Sequence, residues 1–218
     1  SDNTFKPLLA NVASSGKPIL LSTGLADSRE IADALNFVEA AWKDCDVRAD
    51  LALLHCVTSY PTTPRESGLE TIRYLRDTFG KTVGYSDHTE GIEAAVLAVA
   101  VGARIVEKHF TVDKHYSKFR DHQLSADPAE MKELVERIRT AEIMLGEYGK
   151  EVRPSERAAS LVLRRALAAG RDLASGHVLT REDVLWVRSA AGWSPGDEVD
   201  FLGRTLVRSL RRGEAMRP

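Results

Sequence analysis

Four short apolar segments of this sequence end in polar residues whose types suit catalysis or ligand binding. The residues at the four ends are Ser22, Thr23 and Gly24; His55, Thr58 and Tyr60; Ser86, Asp87, His88 and Thr89; and Glu107, His109 and Thr111. In β/α proteins the loops at the carboxyl ends of the strands face one common cavity. If the apolar segments are parallel strands, these residues are predicted to surround a single site.

Two of these residues, His88 and His109, have the type and position of metal ligands. Imidazoles at the same end of neighbouring parallel strands can meet at one ion, and with oxygen ligands or water they suit Mn²⁺, Fe²⁺, Co²⁺ or Zn²⁺. Two protein ligands leave open positions on the ion, as a Lewis acid needs. Alternation along a strand places Ser86 beside His88, and Glu107 beside His109, on one side. The residues alone leave open a second interpretation, in which each histidine only caps its strand by hydrogen bonding.

Hydroxyl groups at the strand ends suggest an anion site. Hydroxyls that converge with backbone N–H groups at strand-to-helix turns are good ligands for phosphate or carboxylate, although each also suits a helix cap. The hydroxyls are those of Ser22, Thr23, Thr58 and Ser86. His55 lies inside an apolar segment and is predicted to be a core residue with its hydrogen bonds satisfied. The other histidines are expected to be exposed in loops: His115, His122 and His177.

Four β/α units are predicted to position these residues. The apolar segments predict strands at residues 18–22, 51–56, 82–86 and 104–109. Helical patterns accompany them at residues 28–42, with Ser28 as the N-cap, and at residues 66–79, 90–101 and 127–145. Alternating strands and helices with short connections predict a parallel α/β architecture. Four strands fit either a small open sheet or half of an eight-stranded barrel, and composition does not choose between them.

The character of the sequence changes near residue 150. Residues 151–163 are polar and predict a linker between a first domain, 1–150, and a second domain, 164–218. Short apolar segments follow at residues 165–169, 185–188 and 202–206. Thr180, with Glu182 and Asp183 after it, predicts a single capped helical turn. Because no long helix is expected beyond about residue 160, the second domain is predicted to be a compact β-rich module.

Composition narrows the class of protein. The 218 residues carry a formal net charge of −2, which excludes a sequence-wide attraction to nucleic acid or to an anionic membrane. Two cysteines, Cys45 and Cys56, are too few for a disulfide framework and favour a reduced, cytoplasmic protein. No apolar run reaches the ~18 residues of a membrane span, and the first residues lack a secretory signal. The chain begins without methionine directly before a helical pattern, which favours a fragment.

The order of motifs resembles that of the sialic acid synthases. The motifs are STG, LLHCVTSYP, VGYSDHT, IVEKHFTVDK and FRDHQLSADP. YSDHT followed by EKHFT is highly specific, whereas STG alone is weak. The resemblance covers essentially the whole chain and includes a tail similar to the antifreeze-like (SAF) domain. It implies the last four β/α units of a (β/α)₈ TIM barrel, followed by a small β-rich SAF domain of the β-clip type.

The resemblance also implies roles for individual residues. His88 and His109 resemble metal ligands, usually for Mn²⁺, and Glu107 resembles a carboxylate beside the metal-bound water. Three residues resemble those that hold the phosphate or carboxylate of phosphoenolpyruvate: Ser22, Thr58 and Ser86. Two resemble sugar-contacting residues: Tyr60 and Asp121. Asp2 resembles an acidic catalytic residue, to be grouped with Glu107 and His109. Arg188 resembles an arginine that the SAF domain of one subunit inserts into the active site of the other, which implies a domain-swapped homodimer.

The implied activity is the condensation of phosphoenolpyruvate with an N-acyl hexosamine such as N-acetylmannosamine, with release of phosphate. The resemblance implies that C3 of phosphoenolpyruvate attacks the metal-polarised aldehyde of the open-chain sugar. Water then adds at C2, and phosphate leaves with C–O cleavage. The first four strands of such a barrel are absent, so the chain is expected to be inactive alone. A non-catalytic carbohydrate-binding protein and a different barrel aldolase or synthase remain as alternatives.

The sequence departs from the family pattern at four places. Lys118-Phe119-Arg120-Asp121 stands where Pro-Gly-Pro-Asp is usual, and Ser189-Ala190-Ala191-Gly192 stands where Pro-Gly-x-Gly is usual. Thr58 replaces a frequent Asn, and Asp2 replaces a common Glu. The sugar acceptor therefore stays open among N-acetylmannosamine, its 6-phosphate and a diacetamido trideoxyhexose.

Overall fold

A computed structural model describes residues 2–188 and 192–217 of the chain. These residues belong to two units, a half-barrel unit, Ser1–Glu147, and a C-terminal unit, Tyr148–Pro218. Among the described residues, no helix combines the length and the apolar character that crossing a membrane requires.

Four parallel strands in chain order form the sheet of the half-barrel unit. The strands are β1 (Ile19–Ser22), β2 (Leu51–Cys56), β3 (Thr82–Asp87) and β4 (Val106–Lys108). The helices are α1 (Lys6–Ser14), α2 (Ser28–Asp44), α3 (Thr71–Phe79), α4 (Glu93–Val101), α5 (Arg120–Leu124) and α6 (Pro128–Leu145). The predicted series of four β/α units is confirmed. The fourth strand is shorter at both ends than the predicted 104–109, since its register with β3 runs only from Val106 to Lys108.

Acidic side chains fix the starts of two helices in this unit, α2 and α6. The carboxylate of Asp27 accepts the backbone N–H groups of Arg29 and Glu30, and the Glu30 carboxylate accepts the N–H of Asp27. This reciprocal capping satisfies donors that the first turn of a helix leaves unpaired. Asp127 caps α6 in the same way, as its sequence predicts. The prediction of Ser28 as the cap of α2 is wrong by one residue; its hydroxyl instead hydrogen-bonds with that of Tyr74.

The two faces of the half-barrel sheet have different surroundings. One face packs against the helices and carries the core, including Leu21, Leu53 and Tyr85. Alternation along the strands turns Ser86 and Glu107 to the opposite face. Gly84 lies on that face too, where a Cβ would come within 2.5 Å of the Leu54 side chain, so only glycine fits between the strands. The sheet therefore leaves one face free for a site at its carboxyl edge.

The C-terminal unit contains a two-stranded antiparallel sheet of β5 (Arg165–Ala169) and β6 (Val184–Arg188). Its small core is formed by Leu167, Leu173, Leu179, Phe201, Leu210 and Met216. Residues 202–206, predicted as an apolar segment of the β-rich module, contribute a single bridge from Thr205 to Val178. A short helix, α8 (Glu198–Phe201), precedes them.

The segment predicted as a linker, residues 151–163, is helical over α7 (Pro154–Leu163). Proline is favoured in the first turn of a helix, where its missing N–H would be unpaired in any case. The Glu156 carboxylate also accepts the backbone N–H of Arg153 at 2.8 Å and so caps the start. These local signals outweigh the polar composition that suggested a linker.

A buried aspartate organises the polar centre of the C-terminal unit. The predicted turn after Thr180 is confirmed as a single 3₁₀ turn, Arg181–Asp183. Asp183 is fully buried and accepts hydrogen bonds from Arg171, from the backbone and hydroxyl of Thr180, and from His177 at 2.7 Å. The expectation that His177 is exposed in a loop is therefore wrong, since this ion-pairing carboxylate holds its ring half-buried.

Candidate metal and substrate site

The two predicted metal ligands lie together at the carboxyl edge of the sheet. His88 follows β3 and His109 follows β4, and the centroids of their rings are 5.3 Å apart with the planes 71° from parallel. The ring of His88 is buried, and that of His109 is half-buried. The two rings therefore lie close together at the end of neighbouring parallel strands, as predicted.

The hydrogen bonding of His88 is found both in metal-binding imidazoles and in histidines that only cap a strand. Its Nδ1 lies 2.8 Å from the backbone carbonyl oxygen of Val57. A carbonyl can only accept, so Nδ1 must carry the hydrogen, and the neutral ring then presents the Nε2 lone pair. Metal-bound histidines commonly donate their other N–H to a carbonyl or carboxylate. This ring chemistry fits a divalent metal held by His88 and His109.

The protein supplies few ligands besides these two imidazoles. Within residues 2–188 and 192–217, no group of three or more His, Cys, Asp or Glu side chains is arranged to hold a metal ion. A cation bound by His88 and His109 would therefore keep several positions for water or substrate. The assignment of these two ligands stays a prediction.

Cys56, at the end of β2, also lies beside His88. Its Sγ lies 4.0 Å from Nδ1 of His88. Burial alone would raise the pKa of Cys56, but the nearby His88, Ser86 and Thr58 lower it below its ordinary value. Burial would likewise lower the pKa of His88, but its contacts with Cys56 and the Val57 carbonyl raise it. A negative charge on the Cys56 sulfur and a positive charge on the His88 ring thus stabilise each other.

Ser86 and Glu107 are joined directly. They stand opposite each other in the register of β3 and β4, and the Ser86 hydroxyl donates to the Glu107 carboxylate at 2.6 Å. Ser86 is buried, whereas Glu107 is exposed on the free face of the sheet. The hydroxyl thus holds the carboxylate next to the histidine pair.

The ring of Tyr60 completes an aromatic cluster at the site. Its centroid lies 4.2 Å from that of His88 and 5.7 Å from that of His109. Tyr60 is half-buried and comes from the segment after β2. A single side chain therefore contacts both imidazoles, which places the residue predicted to bind sugar directly beside the predicted metal ligands.

The first two strand ends meet at a glycine. A Cβ on Gly24 would lie 2.3 Å from Oγ1 of Thr58, so only glycine lets these two loops approach so closely. The side-chain amide of Asn3 donates to the carbonyls of Ser22 and Gly24 at 3.2 and 3.0 Å. Asp2, exposed beside Asn3, is thereby held near the end of β1. Asn3 thus positions this end of the site, and no sequence motif predicted its role.

The loop after β4 carries Asp121 in the first turn of α5, where the residue is half-buried. His122, expected to be exposed, is instead half-buried: its Nδ1 lies 2.9 Å from the hydroxyl of Thr111, and its ring is close to that of Tyr116. His122 is half-buried because the loop folds back, with the Ala126 N–H donating to the His109 carbonyl.

His55 is confirmed as a satisfied core residue. It is buried, and its Nε2 hydrogen-bonds with the Ser67 carbonyl at 2.7 Å. Arg188, predicted to reach a partner's active site, ends β6 of the C-terminal unit with an exposed side chain. The departure at residues 189–191 lies outside the described part of the chain.

Comparison with known proteins gives a consistent family. The sequence matches the NeuB family over residues 1–150 and the SAF domain over residues 164–218. An uncharacterised protein of Methanocaldococcus jannaschii is 45% identical over 96% of this chain and 59% of its own length. The N,N'-diacetyllegionaminic acid synthase of Campylobacter jejuni is 37% identical over 98% of this chain and 63% of the enzyme.

A solved structure agrees with these matches. N-acetylneuraminic acid synthetase from Leptospira borgpetersenii, in complex with citrate, superimposes with a TM-score of 0.66 and 36% identity, over 72% of this chain and 53% of that one. The predicted resemblance and the predicted fold class, half of a TIM barrel followed by an SAF domain, are confirmed. The chain spans 59% and 63% of the length of the two relatives above.

Proposed function

The chain belongs to the NeuB family, and we propose that it supplies the metal-binding half of a site for nonulosonic acid synthesis. The proposed reaction condenses phosphoenolpyruvate with an N-acyl hexosamine and releases phosphate. The observation that carries the proposal is the 5.3 Å separation of the His88 and His109 rings at the carboxyl edge of the sheet. Three kinds of relative support it: N,N'-diacetyllegionaminic acid synthase, pseudaminic acid synthase and N-acetylneuraminate-9-phosphate synthase.

A divalent cation held by His88 and His109, with Mn²⁺ as the proposed ion, would supply Lewis acidity to the sugar aldehyde. The tautomer of His88 is fixed in advance by the Val57 carbonyl, so its Nε2 needs no rearrangement to bind. Tyr60 packs on the same ring and restricts its rotation while offering a surface to the sugar. Asp121, in the loop after β4, is proposed to contact the sugar hydroxyls.

The anionic substrate is proposed to bind beside this pair. The hydroxyls of Ser22 and Thr58, at the carboxyl ends of β1 and β2, are proposed to hold its phosphate or carboxylate. Ser86 is proposed to lie beside the anion, since its one hydroxyl hydrogen is donated to Glu107. Glu107, held by the Ser86 hydroxyl, is proposed to orient the water that adds at C2 as phosphate leaves with C–O cleavage. Asp2 lies near the end of β1 and is proposed to act as a further acid group.

The proposed reaction also uses groups from outside this half of the barrel. The lysines that neutralise phosphoenolpyruvate are proposed to come from the other half of a complete barrel. Arg188 is proposed to reach the active site of a second copy in a domain-swapped homodimer.

The test uses the full-length natural protein, Mn²⁺, phosphoenolpyruvate and a panel of N-acyl hexosamines, with phosphate release as the readout. Replacing both metal ligands, His88→Ala with His109→Ala, is expected to abolish turnover. A matched control is His115→Ala, since His115 is exposed and lies outside the proposed site. Full activity of the double variant would reject the metal assignment. Sugar binding without turnover by the natural protein would favour a carbohydrate-binding role instead.

A further inference from the structure

The backbone pairing of β3 with β4 ends one residue before the two histidines. β4 is three residues long, and its last pair with β3 joins Asp87 and Lys108. His88 and His109 follow directly. Their rings therefore lie beyond the part of the sheet in which backbone hydrogen bonds set the spacing between these strands.

The main chain at each histidine is held by a different neighbour. The N–H of Thr62, in the segment after β2, donates to the His88 carbonyl at 2.9 Å. The N–H of Ala126, in the segment after α5, donates to the His109 carbonyl at 2.8 Å. These bonds tie each histidine to its own side, so the distance between the two depends on contacts that span both strand ends. The Tyr60 ring, which lies beside both imidazoles, is one of them.

The Lys108 side chain makes a second such contact, from the other face of the sheet. Its Nζ lies 3.0 Å from Oδ2 of Asp87 and donates to the Thr89 carbonyl at 2.5 Å. The other carboxylate oxygen of Asp87 accepts the backbone N–H and the hydroxyl of Thr89, both at 2.8 Å. Lys108 thus binds the chain on both sides of His88, while its own backbone leads directly to His109.

The burial of this ion pair is not explained by stability. The side chains of Lys108 and Asp87 are 2% and 0% exposed, on the face of the sheet opposite the histidines. Removing two charges from water offsets much of their attraction, so an apolar pair of similar volume often stabilises a fold as well. An ion pair with directed hydrogen bonds differs from an apolar pair in fixing a geometry.

We propose that Asp87 and Lys108 are positioning residues that set the separation of His88 and His109 and thereby the affinity of the site for a divalent cation. The inference rests on the proposed function, because that function assigns both imidazoles to one cation. The pair acts from behind the sheet, through the two backbone segments that end in the ligands.

The test is the Mn²⁺ affinity of the metal-free, full-length natural protein, measured by titration calorimetry. The double variant Asp87→Asn, Lys108→Met removes both charges and nearly preserves side-chain volume. The amide oxygen introduced at position 87 can still accept from Thr89. The dissociation constant is expected to rise about 10-fold, the lower end of the effect seen when a group hydrogen-bonded directly to a metal ligand is removed. An unchanged constant in a folded double variant would overturn the proposal.

Ile72→Val is the matched control for lost stability. Ile72 is almost fully buried in α3, on the helix side of the sheet. The substitution is expected to lower the thermal midpoint and leave Mn²⁺ affinity unchanged. If the natural protein binds no Mn²⁺ and catalyses no condensation, the proposed function fails and the inference with it. If the natural protein binds Mn²⁺ and the double variant binds it equally well, only the positioning role fails.

A second measurement needs no variant and decides the matter if the double variant does not fold. A crystal structure of the metal-free protein is expected to keep the two ring centroids near 5.3 Å with the Asp87–Lys108 pair closed. Rings that separate while the pair stays closed would overturn the proposal.

Discussion

Asp87 in the half-barrel unit and Asp183 in the C-terminal unit are both fully buried, but their charges are balanced differently. Asp87 pairs with Lys108, whose side chain is as buried as its own, so both charges leave water. Asp183 pairs with Arg171, whose side chain is 62% exposed, and with the half-buried His177. One carboxylate is enclosed with its partner, and the other reaches its partners at the surface.

The difference follows from what surrounds each aspartate. The half-barrel unit has an extended apolar core against its helices. The C-terminal unit has a small core, and small domains bury a smaller fraction of their surface, so their stability is marginal. We infer that the buried charge shapes the site in the first unit and holds the loops together in the second.

The largest change in unfolding free energy is expected for Asp183→Ala. It leaves the Thr180 N–H and the Arg171 guanidinium without their acceptor and should destabilise the C-terminal unit by about 3 kcal/mol. Urea unfolding followed by circular dichroism measures the change. Asp200→Ala, at an exposed position of the same unit, is the control and should shift stability by less than about 0.5 kcal/mol. Equal losses in both variants would contradict the anchoring role.

A smaller loss of stability is expected when the pH is lowered, because protonation removes part of what the Asp183 carboxylate contributes. Burial alone would raise the pKa of Asp183, but hydrogen bonds from His177, Thr180 and Arg171 hold it well below its ordinary value. The unfolded chain therefore binds more protons than the folded one, and stability falls as the pH falls. The contribution is complete above the unfolded pKa of about 3.9 and is lost as the pH drops through the lower folded value.

Unfolding of the natural protein and of Asp183→Asn at a series of pH values measures this dependence. The difference in unfolding free energy between them should shrink as the pH is lowered from about 6 to about 3. A difference that stays constant over this interval would show that the ionised carboxylate is not the source of the stability.

The smallest effect is expected at the surface ion pair of Lys81 with Glu39, at the amino end of β3. Its side chains are 31% and 47% exposed, so Lys81→Met should change the unfolding free energy by no more than about 1 kcal/mol. Lys108→Met, in the same assay, leaves the Asp87 carboxylate buried without its cation and should destabilise more. Thermal unfolding compares the two variants, and equal losses would remove the distinction between buried and exposed pairs.

Much of the fold was predictable because local signals and burial agree. β2 has the predicted bounds, and α2 and α6 end within two residues of their predicted ends, since continuous aliphatic segments and acidic caps mark them. The helix α7 lies in the predicted linker, since the proline and glutamate at its start favour a helix within an otherwise polar segment. The environments of His122 and His177 were missed, because their partners are set by how loops fold back.

The sequence by itself determined the order of four β/α units, the short β-rich segments of the tail and the alternation that puts Ser86 beside His88 and Glu107 beside His109. These are local properties, set by residue type and by the period of a strand. Only the tertiary structure decided that Val57 orients His88, that Cys56 and Tyr60 contact its ring, and that Lys108 ties β4 to both sides of His88. Such contacts join residues far apart in sequence, and their distances depend on strand register and loop closure, which no local pattern contains.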